Sequence, residues 1–268
     1  MTETTSTLGG AVTEQKSARC GARAFPSCLE DLDIDFAGAP RPVLITRLLA
    51  ACVTDQDGRP LDDGELWRWT LDERLQALAA IVTASRGSNA TLTVRCPHVE
   101  CHETIEIDVD LAVLEPSAEA IASCHPEAET EVRLRLPTGA DQLDWLAKRH
   151  RLSPAVDMAT SLVTSINGEA PPRGWRAPET WLESIAAELA EHDCSLPAGA
   201  SVVCPACGQT VPLEIDIEGN LIALLATEQR RLLQDVHRIA AAYHWSEPEI
   251  VSLPRRRREF YLECIEER

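Results

Sequence analysis

Two short cysteine stretches, more than a hundred residues apart, constrain this chain more than anything else in it. The first is Cys96-Pro97-His98-Val99-Glu100-Cys101, and the second is Cys204-Pro205-Ala206-Cys207. Each follows an apolar run (Leu92 and Val94; Val202 and Val203) and turns through a Cys-Pro knuckle. Each then has Thr three residues after its second cysteine, followed by an alternating stretch that ends on Asp110 or Asp216. A hairpin with two thiolates supplies half of a tetrahedral zinc site, and structural zinc takes four ligands. The spacing therefore predicts one structural Zn2+ per chain, held by Cys96, Cys101, Cys204 and Cys207. Two other readings stay open. His98 or His102 could join Cys96 and Cys101 in a separate site, or the cysteines could be reduced and metal-free. A thioredoxin-like redox pair needs a strand-to-helix setting, whereas a strand-like stretch follows Cys207.

The 268 residues suffice for one large or two small domains, and the net charge is -18. So acidic a surface argues against nucleic acid or an anionic membrane as the main partner. No apolar run is long enough to span a bilayer, and the first residues lack the basic-then-apolar order of a signal peptide. The expected compartment is the reducing cytoplasm, where cysteines serve as metal ligands or buried thiols. Cys20, Cys28, Cys52, Cys124, Cys194 and Cys264 lack ligand spacing and read as small buried hydrophobes; Cys124-His125 is the one pair worth checking as a stray ligand.

Residues 1–25, rich in Thr, Ser, Gly and Glu, read as a disordered tail. Leu32, Ile34 and Phe36 alternate, which suggests a short strand or an extended lead-in. Val43–Thr54 has helical spacing, and Thr70-Leu71-Asp72-Glu73 is a capping box that opens a second helix. Leu111–Ala122 reads as partly helical. Val132, Leu134 and Leu136 mark a half-buried strand, and Thr138 starts a helix. Ser153-Pro154 begins another, stopped by Asn167-Gly168, and Pro178 opens one with Trp181, Ile185 and Leu189.

The order helix, Gly turn, Trp-bearing linker, helix, knuckle, strand occurs twice. Leu78 aligns with Ile185, Cys96 with Cys204, and Thr104 with Thr210, the drift in offset arising from the longer first knuckle. The expected fold is α+β, mostly helical, with an internally duplicated unit and two β-hairpin zinc knuckles. Its expected divisions are the tail 1–25, a first repeat 26–112, a connecting strand and helix 113–154, a second repeat 155–218 and a C-terminal helical docking segment 219–268.

In that last segment Asn220–Tyr243 is one amphipathic helix. His237, Tyr243, His244 and Trp245 gather at its end, where packing is the expected role. Ser246-Glu247-Pro248-Glu249 is a second capping box. A helix bearing Arg255, Arg256, Arg257, Arg258 and Tyr261 follows, with Arg255 four residues before Glu259 and the charge diluted by Glu263, Glu266 and Glu267. It reads as an ion-paired docking surface for another protein.

The run Tyr243–Ile250 followed by Leu253–Leu262 resembles short helical modules encoded with contractile phage tails and tail-derived injection systems. Arg133-Leu134-Arg135-Leu136-Pro137-Thr138-Gly139-Ala140-Asp141, a helix, and then the Val202-Val203-Cys204-Pro205 knuckle resemble the T-even-type baseplate hub assembly family. The tight C-P-x-C-G knuckle of that family is kept at Cys204–Gly208, while Cys96–His102 departs from it. The resemblance implies a non-enzymatic baseplate component or assembly chaperone of a phage or phage-tail-like contractile injection system. Its implied partners are other baseplate and tail proteins, with no small-molecule substrate, and incorporation into a phage-like particle would follow.

Two other function classes fit the residues less well. A zinc-ribbon nucleic-acid adaptor needs basic residues at the knuckles, but only Arg95 is basic beside Glu100, Glu103, Glu106, Asp108, Asp110, Glu214 and Asp216. A zinc hydrolase needs an open metal position, which four thiolates close, and no hydrolase, P-loop or dinucleotide motif occurs.

Overall fold

The computed structural model describes residues 20–114, 121–148, 153–192, 201–212 and 215–267. It is α+β and about 51% helical, with small antiparallel sheets.

Strand β1 (Gly21–Ala22) pairs with β2 (Val53–Thr54), which directly follows helix α1 (Arg41–Cys52). Pro42 sits in the first turn of α1, where its missing N–H costs nothing. Leu44, Ile45, Leu48, Leu49 and Cys52 then recur at helical spacing and are buried. Asp62 caps α2 (Asp63–Arg68). The Thr70–Glu73 capping box forms at the start of α3 (Leu71–Arg86), with Glu73 N–H donating to Thr70 Oγ1 at 3.2 Å and Thr70 N–H to Glu73 Oε2 at 2.9 Å. Gly87, at φ 98°, ends that helix. The chain then forms the hairpin of β3 (Asn89–Arg95) and β4 (Thr104–Asp110). Ala90, Leu92 and Val109 turn inward to a core shared with α1 and α3, while Glu106, Asp108 and Asp110 face water.

The middle of the chain builds a second core around a three-stranded sheet, in which β6 (Thr130–Arg135) lies between β5 (Ile121–Glu127) and β7 (Val163–Ile166). Helix α4 (Gly139–Lys148) and α5 (Pro154–Leu162) come between β6 and β7. A 3-10 turn (Glu179–Trp181) leads into α6 (Leu182–Glu191). Val132, Leu134, Leu162, Trp181 and Ile185 are buried together. The second hairpin is β8 (Ser201–Val203) with β9 (Thr210–Pro212).

Helix α7 (Ile217–Tyr243) spans 27 residues and serves two cores. Ile217, Leu221 and Leu225 complete the first. Leu232, Val236 and Ile239 form another with α8 (Glu247–Val251) and α9 (Arg255–Glu266). Between them Gln229 Nε2 donates to the carbonyls of Asp31 and Ile34 at 2.8 and 2.9 Å, which ties the helix to the N-terminal region.

Two partly exposed arginines clamp buried or nearly buried aspartates in a similar way. Arg23, directly after β1, makes paired hydrogen bonds to Asp31 at 2.7 Å and donates to Ala51 O near the end of α1. Arg135, the last residue of β6, pairs with both oxygens of Asp141 and donates to Ser161 O near the end of α5. Burial acts to raise both carboxyls, but the guanidinium bonds, helped by Ser27 N–H or by Thr138, hold each below the usual carboxylate range.

Several expectations need correction. Leu32–Phe36 is not a strand: a 3-10 turn spans Glu30–Asp33, because Asp31 is drawn in by Arg23 and cannot alternate outward. The proposed tail 1–25 is too long, since Gly21–Ala22 pairs in a sheet and Phe25 is buried; residues 1–19 lie outside the described residues. The helix opened by Pro154 ends at Leu162, and β7 rather than helix runs to the Asn167-Gly168 turn, captured by pairing with β6. Of Leu111–Ala122, Leu111–Val113 is a 3-10 turn and 121–122 belongs to β5; 115–120 lie outside the described residues. Cys52 and Cys124 are buried as expected and Cys28 and Cys264 partly so, but Cys20 is exposed; Cys194 lies outside the described residues. Cys124 packs in the second core and joins no ligand cluster among the described residues.

Candidate metal centre

The register of the first hairpin places its two thiols. The β3–β4 ladder ends with Arg95 opposite Thr104, and Cys96 N–H donates to Glu103 O at 2.8 Å, closing the mouth of the loop. The loop turns back as Cys101 N–H donates to His98 O at 3.0 Å. His102, right after the second cysteine, takes a left-handed backbone at φ 52°. The second hairpin does the same with a shorter loop. Cys204 N–H donates to Gln209 O at 2.9 Å, Gly208 N–H donates to Cys204 O at 2.9 Å, and Gly208 has φ 70°. Histidine thus does at 102 what glycine does without steric cost at 208. Aligning the two stretches at their second cysteines puts His102 on Gly208, a signal for that backbone already present in the sequence.

The two hairpins meet. The sulfurs of Cys96, Cys101, Cys204 and Cys207 all lie within 4.8 Å of one another. Cys96 Sγ stands 3.8 Å from Cys207 Sγ, and Cys101 Sγ stands 3.7 Å from Cys204 Sγ. A disulfide would require about 2.05 Å. Four sulfurs bound tetrahedrally at about 2.3 Å from one zinc ion stand about 3.8 Å apart. The donor set and its spacing therefore fit a tetrathiolate zinc site. The two contacts cross-pair the hairpins, the first cysteine of each touching the second cysteine of the other. Neither His98 nor His102 belongs to the cluster.

Cys96 and Cys204 have no exposed surface, Cys101 is partly buried and Cys207 is exposed. Ile105 and Val211, one from each hairpin, are buried against the sulfurs, with Val94, Ile107 and Val202 around them. The backbone N–H groups of Cys207 and then Ala206 pull the Cys204 thiol down to about 7, against the effect of burial. Burial pushes Cys96 up. At Cys101 the Glu103 backbone contact lowers the pKa, but burial and the neighbouring thiols outweigh it and carry the group to about 12. A divalent cation bound among the four would neutralise the thiolates that now compete for protons.

The C-terminal residues expected to meet a partner do not share one environment. Arg255 is held by Glu259 at 2.9 Å and lies 3.8 Å from Glu228. Arg258 turns inward to donate to Leu253 O. Tyr261 packs edge-on to Trp245, with centroids 4.9 Å apart, and against Tyr243, so this corner is a packing centre. Arg256 and Arg257 are exposed, beside Phe260 at 59% exposure.

Two features escaped sequence reasoning. The Arg23–Asp31 and Arg135–Asp141 pairs carry no spacing rule, although each arginine lies at the end of a strand or just after one. Arg74 is 1% exposed, donates to Leu66 O, Pro42 O and Thr46 Oγ1, and lies 5.1 Å from the Trp67 ring. Its place on α3 looks like an ordinary surface position.

No protein-family model matches this chain, and neither a curated protein nor a solved structure matches it.

Proposed function

We propose that this chain is a non-enzymatic structural or assembly component of a phage tail or phage-tail-like contractile injection system, made rigid by one structural zinc ion. The observation that carries the reading is the meeting of two distant hairpins at four thiols with tetrahedral spacing. Four protein sulfurs leave a zinc ion no open position for a water or substrate, so the ion would supply folding energy rather than turnover.

In this reading the chain is an internal duplication. What supports it, beyond the knuckles, is a paired Arg–Asp clamp in each half, Arg23 directly after β1 reaching a carbonyl near the end of α1 and Arg135 at the end of β6 reaching one near the end of α5, with α4 between. The second copy then begins at β6, earlier than residue 155, and the four cysteines sit about a pseudo-twofold axis. That axis accounts for the crossed pairing, since an isologous contact exchanges equivalent residues. The zinc holds the copies together while α7 carries α8 and α9 outward as the docking module. Arg256, Arg257 and Phe260 are the groups there available to a partner.

The baseplate assignment rests on the resemblance of 133–141, 202–208 and 243–262 to that family. Acidic residues along β4 speak against a phosphate backbone as ligand. The test has two arms. Metal analysis of the purified chain should find about one zinc per molecule, and the Cys204→Ser/Cys207→Ser double variant should lose it. Tagged protein expressed with its neighbouring genes should co-purify with sheath, tube or baseplate proteins. Neighbours unrelated to a contractile particle would end the assembly reading, and a metal-free, fully stable chain would end the zinc reading.

A further inference from the structure

We propose that the four-cysteine centre is a redox-convertible clasp, which hydrogen peroxide turns into two disulfides running between the hairpins, Cys96–Cys207 and Cys101–Cys204. The proposal deepens the zinc reading above and rests on it for the metal alone. Both close sulfur contacts, at 3.8 and 3.7 Å, join opposite hairpins. Each contact pairs an accessible sulfur with a sealed one: Cys207 is exposed and Cys101 partly so, whereas Cys96 and Cys204 are fully buried. An oxidant from solvent therefore reaches the second cysteine of each knuckle first, and a sulfur of the other hairpin stands in contact with it.

The chemistry balances with peroxide as oxidant. The Cys207 thiolate attacks one peroxide oxygen, the O–O bond breaks, and hydroxide leaves to become water on protonation. The resulting sulfenic acid is attacked by the sulfur of Cys96; the S–S bond forms, the S–O bond breaks, and a second water leaves with the remaining proton. Another peroxide molecule converts Cys101 and Cys204 in the same way. Disulfide sulfur is not a thiolate ligand, so metal is released. Because both new bonds cross between the hairpins, the two halves remain joined. Oxidation would thus exchange a metal-dependent clasp for a covalent one, not open it.

The test uses the full chain, purified under reductant, with its zinc quantified, then treated with hydrogen peroxide and mapped without reduction. Cleavage after Glu100 separates Cys96 from Cys101, so a bond within the first hairpin and bonds to the second give different masses, and backbone fragmentation between Cys204 and Pro205 shows which of Cys204 and Cys207 each peptide holds. The expected products are Cys96–Cys207 and Cys101–Cys204. Zinc should be released, and the Tm, sensitive to a chelator before oxidation, should become insensitive to it; dithiothreitol should restore that sensitivity. Bonds within each knuckle, Cys96–Cys101 and Cys204–Cys207, would overturn the proposal, as would exclusive oxidation of Cys20, Cys28 or Cys264. A reduced chain that carries no zinc yet forms the crossed bonds would overturn the metal reading alone and support the crossed pairing.

Discussion

A β-carbon placed on Gly139 would lie 2.6 Å from Nη1 of Arg74, a buried group held by three hydrogen bonds. The guanidinium thus fills the space in front of the first turn of α4, and the glycine is required by that neighbour, not by its own backbone. Burial pushes Arg74 down to about 10, with Glu218 acting the other way, so it remains charged at neutral pH. Gly139→Ala should overpack this joint and lower stability by about 2 kcal/mol, measured by urea unfolding; an unchanged midpoint would show that Arg74 can move aside. At the metal centre, Cys204→Ser should cut zinc content and lower the Tm by about 10 °C, the shift that a loss of roughly 3 to 4 kcal/mol gives a chain of this size. Equal Tm values for the variant and the parent would rule out a structural ion.

Short elements in this protein are stabilised by what holds their ends. β1 has two residues and β2 two, too few to persist as an isolated ladder, yet Arg23 ties the first to Asp31 and to the end of α1. The second clamp does the same for β6, α4 and α5. Asp31 and Asp141 are both held below the ordinary carboxylate range, so each binds fewer protons folded than unfolded near pH 4. Their contribution is present in full above the unfolded value of about 3.9 and is lost as pH falls through the folded one. Asp141→Asn should therefore lower stability at pH 7 and flatten its fall below about pH 4. Chemical denaturation across pH 2–7 provides the comparison, and parallel curves for variant and parent would contradict the clamp. The capping boxes at Thr70 and Ser246 were legible in the sequence because each is a local pattern that both partners complete within one turn. β7 was not legible: Val163–Ile166 reads equally well as helix until β6 lies beside it.

Across the whole molecule, α7 links the first core to the helical module that α8 and α9 complete. The chain carries a net charge of -18, yet α9 opens with four arginines. Arg255 and Arg258 are held by Glu259 and by Leu253 O, while Arg257 makes a long, exposed 3.5 Å hydrogen bond to Tyr261 Oη, so Arg256 and Arg257 are the pair whose replacement should affect association more than folding. Arg256→Glu/Arg257→Glu should keep its Tm and zinc content while losing at least about tenfold in affinity for the co-purified partner, a change of roughly 1.4 kcal/mol. Titration by calorimetry would measure it, and full affinity would move the docking surface elsewhere. Metal removal acts at the same scale: a chelator under reducing conditions should loosen the joint between the hairpins, seen as faster amide exchange in both β3–β4 and β8–β9.

Sequence alone identified the four thiols, both hairpins, the long α7 and two helix caps, because each rests on residue type and spacing within a few positions. It also placed Arg255 against Glu259, four residues apart on one helix face. Tertiary structure alone decided that the sulfurs of distant hairpins cross-pair at 3.7 and 3.8 Å, and that His98 and His102 stand outside their cluster. It decided as well that Arg74 is an interior joint and that Arg23 and Arg135 are clamps at the edge of the interior, since a guanidinium becomes structural only when carbonyls and carboxylates from other elements converge on it. Local order follows from neighbours along the chain, whereas the partner of a buried charge or thiol is chosen by which surfaces fold against it.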